Sequence, residues 1–169
     1  MQSTIQKYIT REKIHIFGIV VLLVGMPLSR SFMTIGQMII LVNWLFDPQI
    51  GQKFRKAFTD KRVLSFLGII LIHFIGLIYT ENFEYAAKDL RVKLPLLSLP
   101  LIFATTPALS QHQWRMVFKI FGIAVLTASF ISTWLLYLEG AVDYHTIRGV
   151  SFVVSHIRYA LMICLTIFI

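Results

Sequence analysis

The residues of this chain best equipped for chemistry lie in its final apolar run. Arg148, His156 and Arg158 are set into the stretch Arg148-Gly149-Val150-Ser151-Phe152-Val153-Val154-Ser155-His156-Ile157-Arg158-Tyr159-Ala160-Leu161-Met162-Ile163. Ser151, Ser155 and Arg158 follow i, i+4, i+7 spacing, so a helix would carry them on one face as a polar strip. A helix beginning near Gly149 places Arg158 about 13 Å below its start at 1.5 Å per residue. That is near the middle of a hydrocarbon core about 30 Å thick. A charge at such a depth costs roughly 3 kcal/mol or more and normally faces protein or a water-filled cavity. Arg158 is therefore either half of a buried ion pair or a contact for a ligand or backbone carbonyl. None of Glu81, Glu84, Asp89, Glu139 and Asp143 lies at comparable depth, which favours the second role. For His156 the plain role is a hydrogen-bonded packing residue, and the sharper one is support for a bound anion.

A second basic group, Arg91 and Lys93, closes the segment Thr80-Glu81-Asn82-Phe83-Glu84-Tyr85-Ala86-Ala87-Lys88-Asp89-Leu90-Arg91-Val92-Lys93-Leu94-Pro95. Phe83, Ala86, Ala87, Leu90 and Leu94 recur at helical spacing on one face, and Glu84, Lys88 and Arg91 on another. Glu84 with Lys88 and Asp89 with Lys93 are i, i+4 acid-to-base pairs. Thr80 or Asn82 can cap the start, and Pro95 limits the helix nearby. The pattern predicts a short amphipathic helix at a membrane interface. Its charges are either self-paired and solvated, or Arg91 and Lys93 hold an anion such as a phosphate, to which the planar arginine fork is suited. If the outer ends of the two apolar segments are neighbours, Arg91, Lys93, Arg148, His156 and Arg158 form one cation cluster. Cations without matching carboxylates suit a diphosphate.

The elements that would position these groups are membrane helices. The chain has 169 residues, 57% of them hydrophobic and only 14% charged, with a mean hydropathy of +0.75. Soluble domains carry about 25% charged residues. The apolar residues come in blocks at about 14–28, 32–46, 63–79, 94–106, 116–138 and from 150 onward. The fold class this predicts is all-α: a polytopic transmembrane helical bundle of about six spans forming a single domain over residues 1–169. The first two blocks are short for a crossing, and a hairpin that tilts or enters partway is the alternative. The connection 47–62 holds Lys53, Arg55, Lys56, Lys61 and Arg62 and is cytoplasmic by the positive-inside rule. With it, the N-terminus and the connection after the fourth block hold ten basic and three acidic residues, against six and five on the other side. The N-terminus is therefore cytoplasmic, and 80–93 and 139–149 lie outside. The last residues, Ile163 to Ile169, have no basic stop or polar tail, so the chain reads as the N-terminal part of a longer protein.

Other chemistry is poorly represented. Cys164 is the single cysteine, so neither a disulfide framework nor a cysteine metal site is available. There is no metal-ligand spacing, Gly-rich phosphate loop or nucleophile elbow, and no cofactor is expected. The formal charge of +8 is spread through short connections, not gathered on a soluble face, which argues against nucleic acid as a partner. His73, between Gly68 and Gly76, reads as a helix-packing hydrogen bond, and Thr127, Ser129, Ser132 and Thr133 as helix-packing positions.

Together, Leu77-Ile78-Tyr79-Thr80-Glu81-Asn82-Phe83, Lys88-Asp89-Leu90-Arg91-Val92-Lys93-Leu94-Pro95-Leu96, Arg148-Gly149-Val150-Ser151-Phe152 and Ser155-His156-Ile157-Arg158-Tyr159-Ala160-Leu161-Met162 resemble the O-antigen ligase family, in the versions seen in Bacteroidetes-type bacteria. The resemblance implies a multi-pass glycosyltransferase of the bacterial inner membrane. Its donor would be an undecaprenyl-diphosphate-linked glycan, taken at the periplasmic face, and its acceptor lipid A-core or another glycan. Related polymerases extend the glycan on its carrier instead. The chemistry implied is metal-independent, with periplasmic arginines holding the diphosphate. By motif Arg91, Lys93 and Arg158 would contact it, with His156 supporting. The family's histidine that activates the acceptor hydroxyl would lie beyond Ile169, so no catalytic base is assigned and these 169 residues alone are expected to be inactive. A transporter of an anionic or lipid-linked substrate is the competing reading. A non-catalytic membrane subunit, in which Arg158 only fixes packing, is a third.

Overall fold

The computed structural model describes residues 2–79, 83–138 and 156–168, with side chains described from Thr10 onward apart from scattered positions that include 85–92 and His156. The described chain is helical and holds no strand. Its elements are α1 (Gln2–Leu28), α2 (Arg30–Leu45), α3 (Ile50–Thr59), α4 (Lys61–Ile78), α5 (Phe83–Thr105), α6 (Gln111–Leu138) and α7 (His156–Ile167). The first five expected apolar blocks fall in α1, α2, α4, α5 and α6 to within a residue at their ends, and the described part of the sixth lies in α7. The packing sorts the chain into two compact units, 1–40 with 109–169 and 41–108, the division falling inside α2.

In the first unit α1 and α2 form a tight hairpin whose only non-helical residue is Ser29. Pro27 sits in the last turn of α1, where it removes one intrahelical bond just before the helix ends, and Ser29 N–H returns to the Gly25 carbonyl at 2.8 Å. The two helices touch backbone to backbone. A Cβ on Gly25 would run into the main chain of Phe32 and Met33, and one on Gly36 into the main chain of Leu22. α6 packs along α1, and α7 packs on α6. Ile19, Leu22, Ile40, Val117, Phe121, Ala124, Val125 and Ala128 are buried here.

In the second unit α4 and α5 lie against each other, and α3 packs on both. The connection 47–62, read from the sequence only as a basic loop, contains α3. Asp47 shapes its entry: one carboxylate oxygen accepts from the Gln49 N–H at 2.8 Å and the other from Lys53 Nζ at 2.9 Å. Apolar Ile50, Phe54, Ala57 and Phe58 then fall on one side of the helix. The helix expected to end near Pro95 instead runs on through Pro95 and Pro100 to Thr105. A proline removes one intrahelical bond but does not stop a helix whose flanking turns are held by packing.

By length and composition, one described helix is able to cross a membrane: Gln111–Trp134 within α6, with a mean hydropathy of 1.8. Shorter apolar helices are Val63–Gly76, Pro95–Thr105 and Ile157–Ile167. The reason is visible in the sequence. The charged residues of α1 continue to Lys13 and those of α5 to Lys93, which leaves the apolar remainder of each short for a full crossing.

Candidate functional site

The five expected anion-binding residues are divided between the two units. Arg91 and Lys93 belong to α5 in the second, and Arg148, His156 and Arg158 to the first. Arg148 lies outside the described residues, as do the side chains of Arg91 and His156. Lys93 is half-buried and already has a partner. The expected depth of Arg158 rests on residues 149–155, which also lie outside the description; the described helix begins at His156 and carries Arg158 as its third residue.

Arg158 is exposed, and among the described residues it makes no hydrogen bond or ion pair. The buried ion pair that would have made it a structural residue is not found there. Its placement follows from its neighbour. Tyr159 is buried and donates its phenolic O–H to Ser129 Oγ at 2.5 Å, and Ser129 donates on to the Val125 carbonyl at 2.9 Å. One residue is about 100° of helix, so anchoring Tyr159 toward α6 turns Arg158 away from it. Gly122 lets α7 approach closely, since a Cβ there would lie 3.3 Å from the Thr166 methyl. The result is a guanidinium without a partner among the described residues, on a helix whose other exposed residues, Ile157, Leu161, Leu165 and Ile167 among them, carry no charge.

Several expected polar roles are different in the structure. His73 Nδ1 bonds to the Ile69 carbonyl of its own helix at 2.8 Å, and nothing lies within 4 Å of a Cβ on Gly68 or Gly76. The close helix contact is instead at Gly18, Gly25 and Gly36. Thr127 and Thr133 bond back to the carbonyls of Ile123 and Ser129 and are exposed, so of the span's hydroxyls Ser129 is the one seen linking helices. The i−4 carbonyl is always within reach of a helical hydroxyl, and needs no second helix.

Two polar clusters escaped the sequence reading. At the start of α6, Ser110 and Gln113 form a reciprocal cap: Ser110 N–H donates to Gln113 Oε1 at 2.8 Å, and Gln113 N–H to Ser110 Oγ at 3.2 Å. The Gln113 amide then donates to Glu12 of α1 at 2.6 Å, near the buried, partnered His15. The Ser-x-x-Gln pattern was visible; its link to Glu12 across 101 residues was not. In the second unit Trp44 Nε1 donates to Thr105 Oγ1 at 2.8 Å, while the Trp44 ring meets Phe54 edge-on at 5.0 Å. These clusters satisfy themselves and offer no reactive group. Among the described residues no three His, Cys, Asp or Glu side chains gather to hold a metal.

Comparison with known protein families, with curated proteins and with solved structures finds no match to this chain.

Proposed function

We propose that this chain is a multi-pass protein of the bacterial inner membrane that takes part in transferring a glycan from an undecaprenyl-diphosphate carrier to an acceptor such as lipid A-core at the periplasmic face. The observation that carries the reading is Arg158: a permanent cation, exposed and without a partner among the described residues, on a helix whose exposed large side chains are otherwise apolar. Holding a charge there is unfavourable unless it meets an anion, and the departing diphosphate of a lipid-linked sugar supplies one. The motifs around Arg91 and Arg158 supply the family likeness.

Two features support the membrane setting. α4 exposes Leu64, Phe66, Ile69, Leu71, Ile72, Phe74 and Ile75, which lie all the way round the helix. A helix apolar on every side belongs in lipid or inside a larger assembly. α6 carries Arg115 and Lys119 near one end and Trp134 and Tyr137 near the other, a span of about 33 Å from Arg115 to Tyr137 at 1.5 Å per residue. That matches a hydrocarbon core of about 30 Å bordered by snorkelling cations and interfacial aromatics.

The test is genetic and biochemical. The full gene is expressed in cells lacking their own ligase, with Arg158→Ala and Arg91→Ala made separately. Normal membrane abundance with lost attachment and accumulated carrier-linked glycan is the expected result. Full attachment by both variants overturns the anion site, and loss of abundance assigns Arg158 to structure.

A further inference from the structure

The helix that the sequence concealed has a surface the proposed transfer chemistry does not use. Around α3 the apolar side chains span an arc of about 100°, from Ala57 through Ile50 and Phe54 to Phe58. Only part of that arc is spent on the protein. Ala57 is 0% exposed and Phe54 touches Trp44, yet Phe54 remains 39% and Phe58 62% exposed. Beside Phe58 along the helix surface come Gly51, with open space around it, and then exposed Arg55. Lys56 and, just past the helix, Lys61 are exposed as well. The acids nearby are occupied, Asp47 by Lys53 and Asp60 by another partner.

We propose that α3 docks on a leaflet of anionic lipid, with Phe58 entering the acyl boundary and Arg55 and Lys61 pairing with headgroup phosphates. The leftover apolar edge is what favours lipid over a soluble acidic protein. It leads within three residues to α4, whose exposed side chains are apolar on every side, so the strip and the helix share one apolar boundary. Long basic side chains at such an edge lay their stems on acyl chain and lift their charges to the headgroups. The inference rests on the membrane part of the reading above and is independent of the glycan chemistry.

Gly51 lies on the strip and has room for a probe. The full chain with Cys164→Ser and Gly51→Cys is labelled with an environment-sensitive fluorophore. It is then reconstituted into phosphatidylcholine vesicles with and without 30% phosphatidylglycerol. With the anionic lipid the emission should shift to the blue and be quenched by nitroxide-bearing lipid. Each cation near an anionic surface contributes about fivefold to partitioning. Replacing both, as Arg55→Gln and Lys61→Gln, should lower the docked-to-undocked ratio about 25-fold. Raising salt to 1 M on the unaltered protein, where screening acts over about 3 Å, should lower it as well. The same emission in both kinds of vesicle, or a double variant that docks as before, overturns the proposal. A chain recovered outside the vesicles overturns the membrane reading and this one together, whereas an inserted chain whose probe stays in water overturns this one alone.

Discussion

Replacing Gly36 by alanine should loosen the α1–α2 hairpin, although alanine is the better helix former. A Cβ built on Gly36 lies 2.6 Å from Leu22 Cα and 2.8 Å from Leu22 Cβ, with the Leu22 nitrogen closer still. Ordinary contact needs about 3.4 Å or more, and the obstructing atoms are backbone, which cannot rotate away. The helices must part by several tenths of an ångström over a close-packed interface, a perturbation costing about 1–3 kcal/mol. Against this stands a gain of about 1 kcal/mol from replacing glycine inside a helix. Gly68→Ala isolates the two effects, because Gly68 has nothing within 4 Å and its alanine receives the propensity gain alone. The difference between the variants is then the clash. At about 2–4 °C per kcal/mol for a chain of this size, Gly36→Ala should melt roughly 2–12 °C below Gly68→Ala. Thermal unfolding of the purified protein in one detergent, scanned at one rate, checks this. Equal midpoints for the two variants would refute the backbone contact between α1 and α2.

The link between α6 and α7 makes an asymmetric prediction. Tyr159→Phe leaves Ser129 still bonded to Val125 and should cost about 0.5–1.5 kcal/mol, whereas Ser129→Ala strands a buried phenol and should cost about 1–3 kcal/mol. Adding Tyr159→Phe to Ser129→Ala should then restore part of the loss, a rise in midpoint that simple additivity forbids. Sidedness is testable in the Cys164→Ser background: Gln52→Cys should resist a membrane-impermeant thiol reagent in permeabilised outer-membrane cells, and Glu84→Cys should react. Equal labelling of the two would remove the alternating topology.

The helical blocks were legible because apolar runs bounded by charge and proline leave few other conformations. Three things were not. α3 was hidden because a decade of residues with three cations and three glycine or polar positions reads as loop until one sees that Ile50, Phe54, Ala57 and Phe58 share a side. Its apolar face becomes useful only once Trp44, α4 and α5 offer something to pack on. The glycines were misjudged for a similar reason. Gly68 and Gly76 flank a histidine and look purposeful, but close approach is a property of the partner helix. Only the reversal at Ser29 brings Leu22 against Gly36. Arg158 stood out in the sequence as a charge with no acid at comparable depth. Its exposure depends on which way α7 is turned, and a single hydrogen bond from Tyr159 to a hydroxyl thirty residues away decides that.

The helix directions give an argument that composition alone does not. Within the first unit, Glu12 of α1 meets Gln113 near the start of α6, while the pairs Ser129–Tyr159 and Gly122–Thr166 run α7 back against α6. Gly25 beside Met33 and Gly18 beside Ile40 run α2 back against α1. Within the second unit, Trp44 joins the end of α2 to the end of α5 and to α3, which places the chain's densest basic segment at that end. A positive-inside tally assigns sides from charges without using a single contact. The contacts assign directions without using a single charge. Within the first unit, α2 running back against α1 and α7 back against α6 is the alternation that a chain crossing a membrane on successive helices would need.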